Sequence, residues 1–191
     1  MIAPTAFCAA GAGEWQIETI RSILGPTLPA AGFLKITDGD AGKNEQSNLW
    51  TLRGTAGHAR YVTRSETNQL LERQEALGRK GATCAALIPI RKSETWWTLA
   101  QDERRSIMEE KSRHFGIGMD YLPAVARKLY HSRDLGEPFD FLTWFEFSPD
   151  SASAFEELLG RLRATEEWQY VEREVEIRLT RTMIPQSTAD R

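Results

Sequence analysis

The chain has 191 residues, with 24 Lys and Arg against 27 Asp and Glu and a formal net charge of −3. That balance excludes an electrostatic nucleic-acid binder, and no apolar run is long enough to span a membrane. Six tryptophans and a 41% apolar share can pack a sizeable core. The start, MIAPTAFCAAGAGEW, lacks a basic n-region and an apolar h-region, so a cytoplasmic chain without a signal peptide is expected. Cys8 and Cys84 lie far apart and read as reduced thiols.

In chain order, Thr5 to Ala10 reads as a strand. Glu14 to Leu24 reads as a helix, because Ile17, Ile20 and Leu24 fall at helical spacing before Gly25-Pro26. Ala31 to Ile36 is a second strand. The run TDGDAGKNEQS, Thr37 to Ser47, reads as a solvated loop; Asp38 and Asp40 lack the other ligands of a calcium loop. Leu49 to Arg53 and His58 to Thr63 read as strands. A helix over Ser65 to Leu77 follows, with Thr63 and Glu66 at capping-box spacing and Gly78 closing it. Gln74 lies on its apolar side and is a candidate pocket residue.

Ala82 to Ile90, ATCAALIPI, reads as a buried strand. Lys92, Trp96 and Trp97 follow it, a cation and two indoles that suit a planar apolar ligand with acidic edges. Asp102 to Phe115 reads as one helix with His114 in its last turn. Val125 to Ser132 alternates as a strand, with Val125, Arg127, Leu129 and His131 on one face. A guanidinium among aliphatic neighbours needs a carboxylate, water or an anion beside it. Gly136 and Pro138 mark a turn and Phe139 to Phe147 an aromatic strand. Ser148-Pro149 opens a helix whose buried stripe is Phe155, Leu158, Leu159 and Leu162. Val175, Ile177 and Leu179 alternate in a last strand, and the tail from Ile184 is polar.

Three histidines are present. His58 and His131 sit in expected strands, and nothing singles them out. A structural zinc site is excluded by the lack of a His or Cys cluster, whereas one His suffices as the axial protein ligand of a haem iron. A ligating imidazole usually donates its other nitrogen to a carboxylate; Glu166 and Glu167 are both candidates.

Several runs together carry a resemblance. DERRSIMEEKSRH, YLPAVARKLYHSRDLGEPFDFLTWFEF and LRATEEWQYVEREVEIR, with LIPIRKSETWW and HARYVTRSE upstream, resemble the chlorite dismutase family, closest to its short, dimeric branch. The resemblance implies an α+β fold: two tandem ferredoxin-like units sharing the strand at Ala82 to Ile90 and fused into a curved α+β barrel. It implies a single domain over residues 1–191, with an N-terminal half at about 1–91, a haem-binding half at about 92–183 and a tail at 184–191. It implies haem b, one per chain, with iron on His114 and Glu167 as the partner of that imidazole. Tyr61, Val62 and Lys92 would lie near the propionates, with Trp96 and Trp97 along the macrocycle. Arg127 and Gln74 would face the distal side as catalytic residues. The implied activity converts chlorite to chloride and dioxygen through a ferryl haem and a transient hypochlorite, in a homodimer. Two alternatives stay open: a coproporphyrin-haem decarboxylase of the same superfamily, kept alive by Tyr61, and a non-enzymatic haem-binding or sensing protein.

Overall fold

The computed structural model describes residues 3–38, 48–56 and 61–182. Eight strands form one antiparallel sheet: β1 (Thr5–Ala10), β2 (Trp15–Leu24), β3 (Phe33–Asp38), β4 (Trp50–Gly54), β5 (Cys84–Lys92), β6 (Val125–His131), β7 (Phe141–Phe147) and β8 (Val171–Arg181). Their order is β4-β1-β3-β2-β8-β5-β7-β6. Numbered within each half, the strands run 4-1-3-2 and then 4-1-3-2 again, the ferredoxin-like order twice over. The sheet curls until its two edge strands meet, where Thr55 and His131 exchange backbone hydrogen bonds of 2.9 Å in both directions. The expected curved α+β barrel is thus present.

Strand alternation divides the apolar side chains into two cores. Phe7, Leu34, Leu52, Leu87, Trp144, Val175 and Ile177 fill the inside of the curl. Ala86, Ile88, Ile90, Phe145 and Phe147 face outward from the C-terminal half and are covered by helices. Those helices are α1 (Arg64–Arg73), α2 (Glu94–Thr98), α3 (Gln101–Arg105), α4 (His114–Asp120) and α5 (Ala152–Arg163). Phe155, Leu158, Leu159 and Leu162 on α5 form its buried stripe, as the spacing requires. Each such side chain contributes about 1.5–3 kcal/mol by leaving water.

The helix expected over Glu14 to Leu24 is instead the strand β2. Its register against β8 shifts between Ile17 and Thr19 and again between Ser22 and Leu24. Each shift is a bulge, an extra residue that breaks the period of two. Ile17 and Ile20 consequently face the same side, opposite Leu179 and Ile177, although they are three apart in sequence. A bulged strand therefore shows the spacing of an amphipathic helix. The β-branched content of WQIETIRSIL decides for the strand.

Two further expectations change. The helix Asp102 to Phe115 breaks into α3, a π-helical turn at Ser106–Lys111, and α4. The helix at Ser65 to Leu77 ends at Arg73, with Gln74 already extended at ψ 122. Its capping box is present as expected, Thr63 and Glu66 each accepting from the other's backbone N–H. Tyr61 to Thr63 form the turn into α1 rather than a strand. His58, the loop at 39–47 with Asp40, and the tail from Ile184 lie outside the described residues. Cys8 and Cys84 are both free thiols. Among the described residues, no helix is long and apolar enough to cross a membrane.

Candidate functional site

The outward face of β5, β6 and β7 does not pack fully against the helices. Between them lies a cavity of about 1290 Å³, its open mouth included. Ile88, Ile90, Phe145, Leu159 and Leu162 give it broad apolar walls, and His114 and Arg127 both line it. The expected site residues Tyr61, Val62, Lys92, Trp96 and Glu167 line it too.

His114 is the first residue of α4, not the last turn of a longer helix. The chain reaches it through Arg113 at φ 50, a left-handed backbone that ends the preceding turn. The His114 Nδ1 lies 2.5 Å from Glu167 Oε2. That pairing leaves Nε2 as the ring nitrogen for a ligand. Glu167 is 3% exposed, and its backbone N–H donates to the Ser112 hydroxyl at 3.0 Å, which ties it beside α4. Glu166 points away to Lys111, 3.1 Å off, with 41% of its side chain exposed. The fork between two adjacent glutamates is resolved by burial.

Lys92 approaches the same carboxylate from the other side, with Nζ 2.7 Å from Glu167 Oε1. It is 3% exposed and lies over the Trp96 ring at 4.7 Å. Burial alone would raise the Glu167 carboxyl. The charges and hydrogen bonds of His114 and Lys92 outweigh that and hold it down to about 2. Glu167 is therefore a carboxylate at neutral pH, an acceptor for both neighbours.

Arg127 lines the same cavity and projects from β6 toward α4, the helix that begins at His114. A Cβ built on Gly118 would fall 1.5 Å from Arg127 Nη1, so the guanidinium rests where that glycine has no side chain. Burial pushes the guanidinium down to about 10, with the charge of Glu109 opposing. It is cationic at neutral pH. Gln74 does not line the cavity; its Oε1 accepts from the Arg127 backbone N–H at 3.4 Å. Trp97 does not line it either. Its Nε1–H donates to Asp140 at 3.2 Å, and its ring stacks on Phe141 with Arg133 at 4.1 Å.

Among the lining residues that sequence reasoning did not single out are Arg105, Glu109, His131 and Trp168. His131 shares the strand face of Arg127, and that alternation was the available signal. Trp168 stacks on the His114 ring at 6.4 Å and 16°, and its Nε1–H donates to Glu174 at 2.8 Å.

The donor set defines what fits. Among the described residues no three His, Cys, Asp or Glu side chains converge on a metal ion. The site instead offers the His114 Nε2 and apolar walls, with cations at Lys92, Arg105 and Arg127 and His131 also on the lining. The Trp96 Nε1–H is buried and finds no partner among the described residues. A planar, largely apolar group with a metal centre and acidic edges matches these features.

Residues 42–183 match the family model described as chlorite dismutase. A chlorite dismutase from Ideonella dechloratans is 30% identical over 127 residues, covering 63% of this chain and 41% of that protein. The chain thus matches less than half the length of that relative. Among solved structures, a dimeric chlorite dismutase from Nitrobacter winogradskyi has a TM-score of 0.86 and 54% identity, over 93% of this chain and 99% of that one. A mutant chlorite dismutase from Candidatus Nitrospira defluvii shares the fold, with a TM-score of 0.69 at 19% identity over 94% of this chain and 91% of that one.

Proposed function

The chain belongs to the chlorite dismutase family, and from that premise we propose that it is a haem b enzyme converting chlorite to chloride and dioxygen, acting as a cytoplasmic homodimer. The observation that carries the reading is one cavity lined by both a carboxylate-tied imidazole and a desolvated guanidinium.

His114 would donate Nε2 to the iron. Ferric haem supplies, when bound, the redox chemistry that breaks the bonds of chlorite and joins its two oxygens. Glu167 orients the ring by accepting the Nδ1 proton and makes the imidazole a stronger donor. Lys92 holds the carboxylate from behind and keeps it ionised. The Trp96 N–H, Arg105 and Tyr61 suit the acidic edge of the macrocycle. The Tyr61 hydroxyl already accepts from Arg104 at 3.1 Å. Gln74 would act on the distal side only through the Arg127 backbone.

Arg127 holds the anion. It has no lone pair to act as a base, and its paired N–H groups match two oxygens of a small oxyanion. Ile88, Phe145, Leu159 and Leu162 keep water out, which strengthens that attraction. A damaging chlorine oxyanion is thereby retained until both oxygens leave as dioxygen. Purified chain reconstituted with haem and given chlorite at an oxygen electrode should release one dioxygen and one chloride per chlorite. A haem-loaded protein that leaves chlorite unchanged refutes the reading.

A further inference from the structure

The structure assigns Glu109 as the residue that positions His114: its carboxylate holds the first turn of α4 and, through it, the place and donor strength of the imidazole. The consequence for bound haem rests on the proposed function; the geometry does not.

α4 is a seven-residue helix, HFGIGMD, and its own capping residue does not close its start. The capping position is Arg113, whose side chain makes no capping hydrogen bond. Glu109 supplies the missing acceptors from the preceding π-helical turn. Its Oε2 accepts from the Phe115 N–H at 2.8 Å and its Oε1 from the Gly116 N–H at 3.3 Å. The two residues after His114 are thus tied to one carboxylate. The same backbone anchors the other side of the break, because the Glu109 carbonyl accepts from the Arg113 N–H at 2.9 Å. His114 is held between these two attachments.

The π-helical turn makes the reach possible. It widens the helix just before the break, as such turns do where function needs a side chain re-aimed. Met108 and Glu109 then both line the cavity while Ile107 is buried.

Two effects on the imidazole follow. Glu109 fixes the α4 backbone beside His114, as Glu167 fixes the ring. It also brings a second carboxylate to the lining that His114 and Glu167 share. Both favour an electron-rich ligand and so the oxidised metal.

The test begins with the ligand-free chain, as Glu109→Ala and Glu109→Gln. In Glu109→Ala, hydrogen exchange at Phe115 and Gly116 should quicken about ten-fold, the scale of a lost cap, while β5 and β8 amides keep their rates. The downfield proton signal of His114 Nδ1, held against Glu167, should shift in the same variant. Glu109→Gln keeps one acceptor and should show a smaller exchange effect. After haem loading, both variants should shift the ferric–ferrous midpoint in the positive direction. Unchanged exchange at Phe115 and Gly116 overturns the capping role. Faster exchange with an unmoved His114 signal overturns the link to the imidazole. A chain that shows both ligand-free effects but takes up no haem sinks the proposed function and leaves this assignment standing.

Discussion

Glu167 carries two side-chain hydrogen bonds, from His114 at 2.5 Å and from the buried Lys92 at 2.7 Å. Glu167→Gln keeps an acceptor for Nδ1–H but leaves the Lys92 ammonium buried without a counter-charge. Breaking such a pair costs about 3–5 kcal/mol, so the thermal midpoint of the variant should fall. Loaded with haem, it should show a more positive iron potential, since the imidazole loses anionic character. An unchanged potential in redox titration would mean that this carboxylate does not reach the metal. The family resemblance pointed to Glu167, but spacing alone could not choose it. Glu166 and Glu167 are neighbours of the same type, and only the turn at Thr165 and the Ser112 anchor decide which is buried. Glu109 was harder still, because DERRSIMEEKSR offers four carboxylates before His114 and no spacing marks one of them.

Among the elements, α4 shows how a missing side chain can serve a distant one. Gly118 gives the Arg127 guanidinium its seat. Gly118→Ala should cost the fold little, since the contacting atoms end a flexible side chain and alanine favours the helix by about 1 kcal/mol. Arg127 must nevertheless move. Cyanide should leave the ferric haem protein several-fold faster than from the wild type, in the direction of Arg127→Ala. Stopped-flow displacement measures it, and wild-type rates would show that the seat is unimportant. The elements themselves were legible where their periods were clean: β5, β6, β7, α5 and β8 all fall where alternation or helical spacing puts them. They were misread where one residue is added to the period. Bulges gave β2 the spacing of a helix, and the π-helical turn hid the break before His114.

At the scale of the whole molecule, α5 is fastened to the sheet by charge as well as by apolar packing. Arg163 bridges Glu174 and Glu176, at 2.6 and 2.7 Å, and Arg178 and Arg21 also donate to Glu176. Burial alone would raise the Glu176 carboxyl, but hydrogen bonds from Arg21, Arg163 and Arg178 hold it down to about 2, against 4.5 for a free glutamate. Glu167 is depressed likewise. A lowered native pKa contributes stability that is complete above the unfolded value and lost as the pH falls through the folded one. The ligand-free chain should therefore lose stability mainly between pH 4.5 and 2. Glu176→Gln should flatten that loss while lowering neutral-pH stability by about 1–3 kcal/mol. Urea unfolding across that range would show it, and an equally steep acid limb in the variant would contradict it. The doubled 4-1-3-2 order belongs to this scale too. It was invisible as a sequence repeat, because each copy meets different neighbours and only the backbone pairing is common.

The bridge between Thr55 and His131 has one more consequence. It is the seam of a rolled sheet, and His131 on one side of it is also cavity wall. The first half of the chain is thus sewn to the rim of a cavity that the second half builds. Arg53 reinforces the stitch through Glu137 at 2.6 Å. From the seam the backbone pairing continues through β4 to β1. Residues that never touch the cavity are in this way made part of its mouth.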